Sequence, residues 1–339
     1  MTRHCAAGRA LVLHFILSLC AIFGLAFSTS AAGQTSISTG FRTTEDPVIE
    51  RHNGRYYLAW KSADGRDRIN VSEITVRGNR INVGPRIQLS STTRAGVTLQ
   101  EVNGTLYMGF IAHDRGRNIM IKELRGSSWT RAERLPSRSN DTPALAGWRG
   151  NLGVIFRSSG GVFLTYKAGG RWSESRSVPG LGRGNGRPLT YQAPSMGSSF
   201  FVFSSTDDRP RWTRVNANGW NQQPLPELRG VSSGGMMGYL EINRPSELWS
   251  GRLFASTLRG TANFWLYDRG TWQRSLFSVR THTAPAMEQV DRNRILVVTT
   301  TNRRAMRTIP SPVFSMQINI ELLNVEDIVE SSILTRSRR

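Results

Sequence analysis

A single phrase of apolar and polar positions recurs six times along the chain. Each copy opens on a short apolar run, turns through a polar tip that in five of the six ends in glycine, and resumes as a second apolar run. The clearest copies run from Pro47 to Trp60 and from Pro143 to Phe156. Aligned on the glycine, the copies carry Gly54, Gly104, Gly150, Gly197 and Gly251, with Arg292 at that place in the sixth, in steps of 50, 46, 47, 54 and 41 residues. A second marker keeps pace, a glycine turn followed by tryptophan, at Trp129, Trp172, Trp220 and Trp272. A regular period of this length dictates architecture before any single residue does.

Residues 143 to 179 show what one unit forms. Pro143 to Trp148 is apolar, Arg149-Gly150 a turn, Leu152 to Phe156 a second strand, and Ser158 to Gly161 another turn. Val162 to Tyr166 alternates as a third strand, and Arg171-Trp172 opens a fourth, more polar one. Short strands between Gly, Asn and Ser turns read as an antiparallel meander. Four strands in roughly 45 residues make a β-propeller blade. The expectation is an all-β six-bladed β-propeller of four-stranded antiparallel blades over residues 34–323. Ser36 to Thr44 or Met316 to Leu323 would supply the closing strand. A β-sandwich does not account for the period. The 38% hydrophobic content and 33 glycines among 339 residues suit one turn-rich β-domain.

The termini read differently. Arg3 and Arg9 precede an apolar stretch from Ala10 to Phe27, and Ser30-Ala31-Ala32 offers small residues for cleavage. Residues 1–33 therefore read as a signal peptide, with a retained membrane anchor as the alternative. Both cysteines, Cys5 and Cys20, fall inside it, so the mature chain would hold no disulfide and no thiolate. Such a chain is expected to be secreted or periplasmic. Residues 324–339 form a tail with Val325, Ile328 and Val329 near helical spacing.

Charge adds a second layer. The formal net charge is +20, and Lys61, Lys122 and Lys167 are the only lysines among 44 basic residues. The arginines spread through every repeat, which speaks against a nucleic-acid stripe. They favour anionic polysaccharide or a cell surface, because the guanidinium fork matches carboxylate, sulfate and phosphate.

In a propeller, the loops entering the inner strand and those joining the second and third strands crowd one face. The candidate ligand-binding residues there are Asp46, Arg94, Asp114, Arg115, Asp141, Arg187, Asp208, Arg209 and His282. Asp and Arg together bind sugar hydroxyls through charge-assisted hydrogen bonds. No spacing calls for a metal ion or a cofactor. Gly180 to Gly186 is glycine-rich but has no helix after it, so it reads as a linker between units.

The repeat, with its P-A-L opening and G-x-W close, resembles the repeats of secreted β-propeller lectins and the wider sialidase-like propeller group. The nearest approach to that group's Asp-box is Thr165 to Trp172, where Lys167 replaces the Asp. A local resemblance also links Glu45 to Leu58 to the first blade of five-bladed glycosidases. It implies Asp46 as a general base, with Asp141 and Glu101 as the other carboxylates nominated. Three functional classes stand: a glycan-binding lectin-like propeller without catalysis, a glycoside hydrolase, and an extracytoplasmic interaction scaffold.

Overall fold

The computed structural model describes residues 35–179, 181, 188–191, 200–206, 209–216, 219–221, 237–242, 251–258, 260–268, 271–306 and 313–336. The signal-peptide reading of residues 1–33 lies outside them. The described chain is all-β apart from one C-terminal helix, Val325–Arg336. Its strands form five antiparallel sheets of four, nine, five, four and four strands.

The strands follow the sequence repeats. Repeat 3 shows the plan: Ala144–Trp148 pairs with Asn151–Ser158, which pairs with Gly161–Ala168. The expected fourth strand is broken in two. Arg171–Trp172 pairs with Lys167 and Ala168, and Arg176–Ser177 pairs with Leu164 and Phe163. The exposed polar stretch Glu174-Ser175 between them has no apolar face to hold it on the sheet.

The nine-stranded sheet holds repeats 1 and 2 together. Its 16-residue strand Ile87–Val102 serves both. The early part pairs with Arg68–Arg77 of repeat 1, and the later part, from Val97, pairs with Thr105–Ala112 of repeat 2. Repeat 6 takes its fourth strand from the other end of the chain, because Thr35–Thr43 pairs with Val313–Asn324. Both stretches expected to close the structure are thus partners in one ladder.

Successive repeats pack against one another through apolar clusters. Leu58, Trp60 and Ile74 of repeat 1 meet Leu296, Val298 and Ile320 of repeat 6. Ala59 and Val71 meet Leu99 and Met108 of repeat 2. Ile121 and Leu135 meet Leu145 and Val154 of repeat 3, with Trp172 packed at that seam. Ala146 and Leu164 meet Phe200 and Val202 of repeat 4. Leu253 and Phe264 of repeat 5 meet Ile295 and Val297 of repeat 6, and Val325 and Ile328 of the helix join them. The inner strand of each repeat neighbours the next, and that of repeat 6 neighbours that of repeat 1.

The tryptophan marker has a fixed place. Trp129, Trp172, Trp220 and Trp272 each follow the turn from the third strand and pair back with Leu124, Lys167, Val215 and Tyr267. The next residue finishes the motif in repeats 2 and 3, where the hydroxyls of Thr130 and Ser173 accept the N–H groups of Glu123 and Tyr166. Nearby, the ε-ammonium of Lys122 and the hydroxyl of Thr165 donate to the carbonyls of Thr130 (2.7 Å) and Ser173 (2.8 Å). Lys122 is buried, and desolvation holds its pKa below the usual lysine range.

Replacing Trp172 by alanine removes the largest side chain at the seam of repeats 2 and 3 and its indole N–H bond to Glu133 (2.8 Å). A loss of about 3 kcal/mol is expected from truncating a large aromatic in a packed interface. Urea denaturation checks it, and an unchanged midpoint would contradict the packing role.

Candidate functional site

The face nominated from sequence is built by a device that repeats. Thr43, Thr93, Ser139 and Thr281 each stand four residues before the residue that opens a repeat, Pro47, Val97, Pro143 and Pro285, and all are buried. Their hydroxyls donate to the carbonyls of Glu45 (2.8 Å), Ala95 (2.9 Å), Asp141 (2.6 Å) and Thr283 (3.0 Å). In three of the four, the same oxygen accepts the N–H two residues on, from Glu45, Asp141 and Thr283. A buried hydroxyl therefore clamps each entry loop into one shape.

The second loop set docks onto these clamps. Asp67, Arg117 and Asn302 hold equivalent places in the hairpins between second and third strands, with φ of 53°, 52° and 52°. The left-handed backbone turns their carbonyls toward the next repeat. The carbonyl of Asp67 accepts the N–H of Thr93 (2.8 Å), and that of Arg117 accepts the N–H of Ser139 (3.1 Å). The carbonyl of Asn302 accepts from the guanidinium of Arg42, next to Thr43, at 3.5 Å. Both loop sets consequently share one face.

What this face presents follows from position. The residue directly after the clamp is Arg94, Asn140 or His282, all exposed, or the half-buried Thr44. Arg115 is exposed on the neighbouring hairpin, and Arg117 donates to the Asn140 side chain at 2.8 Å. The carboxylates are largely occupied by the scaffold. Asp67 pairs with Lys61 (3.0 Å) and His113 (3.1 Å), linking repeats 1 and 2. Asp114 is held below the usual carboxylate range by the Asn118 side-chain amide and by N–H groups of its own turn. Asp46 is only 3% exposed. Asp141 accepts the N–H of Thr142 (2.7 Å) and stabilises the charge of Arg157, whose pKa burial pulls down. Arg187 and Asp208 lie outside the described residues, and Arg209 is described only as the first residue of strand Arg209–Asn216.

Glu101 sits elsewhere. Asp46 and Asp141 precede inner strands, whereas Glu101 lies near the end of one, so the three nominated carboxylates divide between opposite ends of the sheets. Glu101 belongs instead with two acids that sequence reasoning passed over, Glu50 and Glu288. The carboxylate of Glu50 accepts the N–H of Glu101 (2.9 Å) and the amide of Gln100 (3.2 Å). Glu101 pairs with the buried His52 at 2.7 Å. Burial, the Glu288 charge and the Glu101 charge push Glu50 well above the usual range, against the N–H of Glu101. Burial, opposed by Arg51, pushes Glu288 up to about 8.

Both devices were written in the chain. The clamp is a Ser or Thr four places ahead of the residue that opens each repeat, and the two half-buried acids stand three places after Pro47 and Pro285. Neither lies in the apolar frame that defines the repeat. Among the described residues, no three of His, Cys, Asp and Glu group as metal ligands.

No family model matches this chain, and no curated protein matches it in sequence. Solved structures do match in shape. AofleA from Arthrobotrys oligospora is 10% identical, with 87% of this chain and 94% of that one covered at a TM-score of 0.55. The SapL1 lectin, solved with alpha methyl fucoside, is 10% identical, with 77% and 89% covered at 0.54. The NanB sialidase from Streptococcus pneumoniae is 9% identical, with 86% and 70% covered at 0.58. At these identities the likeness is one of fold: the chain has the architecture of the sialidase-like and lectin-type propellers.

A pH dependence follows from the inner carboxyls. A carboxyl whose pKa is raised on folding favours the native state while protonated, so that contribution is present at acid pH and is lost as pH climbs through about 8. Glu288→Gln cannot ionise. Its melting temperature should match the wild type near pH 4, exceed it increasingly up to about pH 8, and keep that lead above. A constant difference across a pH series of thermal melts would contradict the burial of Glu288 as an acid.

Proposed function

We propose that this chain is an exported, six-bladed propeller that binds glycan, anionic polysaccharide above all, through its clamped loop face and without catalysis. The observation that carries the reading is positional. One backbone site, directly after the buried Ser or Thr, presents Arg94, Asn140 and His282 from different repeats, while nearby acids are held by the scaffold. A repeat fold makes a binding face by varying one exposed position on a constant frame. Arginine at such positions donates paired, charge-assisted hydrogen bonds to a carboxylate or sulfate.

The six-bladed ring is supported by the six repeats and by the inner strand of repeat 6 lying beside that of repeat 1. Export is supported by the leader pattern of residues 1–33. Sugar as the ligand class is supported by the shared architecture with SapL1, whose structure holds a methyl fucoside. The absence of catalysis in this reading rests on the burial of Asp46 and on the distribution of Asp46, Asp141 and Glu101 over two ends of the sheets.

The test is a glycan array read at low and high salt. Binding to acidic glycans that weakens with salt is expected. The paired substitution Arg94→Ala and Arg115→Ala should weaken it roughly tenfold or more, the loss for one or two charge-assisted contacts. Silence toward every sugar would sink the reading. Release of reducing sugar that disappears in Asp46→Asn would replace it with the hydrolase.

A further inference from the structure

The end of the sheets opposite the clamped loops carries its own concentration of positive charge, at the seam between the first and last repeats. Strands Arg68–Arg77 and Arg80–Val83 form a hairpin whose tip is Gly78-Asn79. Arg77 and Arg80 are direct cross-strand partners, and both are exposed. Like charges in that relation repel and cost stability unless something between them compensates.

The neighbouring repeat fixes this hairpin in place. Arg294 of repeat 6 donates to the carbonyl of Gly78 and to the side chain of Asn79 (3.2 Å). The same guanidinium clasps Asp291 through two nitrogens. Turn Asp291–Asn293 is thereby held against the hairpin tip, which brings the exposed Arg292 to the same patch. The local acids are already committed. Asp291 is taken by Arg294 and by the N–H of Asn293 (2.9 Å), and Glu73 pairs with Arg55 at 2.8 Å. Arg77, Arg80 and Arg294, from two repeats, thus meet at one hairpin tip, with Arg294 holding the Asp291 carboxylate.

We infer that the Arg77, Arg80 and Arg292 patch is a second binding surface, for closely spaced sulfate or phosphate esters on a polysaccharide. Such groups match the arginine fork. They also satisfy the cross-strand repulsion, for which no acid pairs with Arg77 or Arg80 among the described residues, and their binding releases counterions. The surface lies at the opposite end of the sheets from Arg94 and Arg115, so it neither needs nor tests the reading of the loop face.

Affinity for dextran sulfate and for a phosphorylated mannan, measured by surface plasmon resonance at about 0.15 M salt, distinguishes the two ester chemistries. Arg77→Gln with Arg80→Gln is compared with Arg171→Gln with Arg176→Gln, two exposed arginines of repeat 3 that belong to neither surface, which removes the same charge elsewhere. The first pair should raise Kd for the preferred polymer roughly tenfold or more and flatten its salt dependence. The second should change Kd for that polymer far less. The first pair should also leave the melting temperature equal or higher, because it relieves a like-charge pair. Equal weakening by both pairs would reduce the effect to net charge and overturn the proposal, as would no weakening by the first. Tighter binding of duplex DNA than of either polymer would overturn the choice of polysaccharide.

Discussion

The structure depends on one long-range ladder, in which Thr35–Thr43 pairs antiparallel with Val313–Asn324. Each sheet here is apolar on both faces and is stable only when sandwiched, so a row of sheets must dispose of its two ends. The ladder does this with the chain's own first strand. It completes the sheet of repeat 6, which packs against repeat 1 through Leu58, Trp60, Leu296 and Ile320. Phe41 stacks on Trp60 with ring centroids 4.6 Å apart, and the hydroxyl of Thr39 donates to the carbonyl of Ile318 at 2.8 Å. The sequence separation of these partners approaches the whole described chain, so the closure entropy falls on this single ladder.

Basic residues divide by chemistry. The three lysines serve the scaffold: Lys61 joins Asp67, Lys122 holds the carbonyl of Thr130, and Lys167 pairs with Glu133. An ammonium on a slim stem reaches such sheltered contacts. The position where an Asp-box would place its acid is Lys167, and the bond it makes crosses to the neighbouring repeat rather than closing its own turn. Arg77, Arg80, Arg94 and Arg115, by contrast, face water. These four charges are thereby available to partners.

The loop face and the inner strands are built on opposite electrostatic terms. At the loop end, hydrogen bonds and salt bridges tie down Asp67 and Asp114 and leave arginine and histidine outward. Along the inner strands, Glu50 and Glu288 are crowded by protein and by each other, so their protonated forms are favoured. Loops can be remodelled without disturbing the core, whereas the inner strands must keep their acids neutral or paired.

The periodic apolar frame, read from residues alone, determined the strand plan, the marker tryptophans and both halves of the closing ladder, because alternation and turn residues act locally. It also named Arg94, Asn140's neighbour Asp141, and His282 as residues of one set of loops. Tertiary structure alone decided which of these are available. Asp46 and Asp141 look alike in sequence, yet they stand three and two residues after their clamps, Thr43 and Ser139, and only Asp46 is buried. Glu101 looked like a partner for them and joined Glu50 and His52 instead. Such pairings join residues about 50 positions apart across a seam between repeats, where strand register and backbone turns set the distances, and no local pattern encodes that geometry.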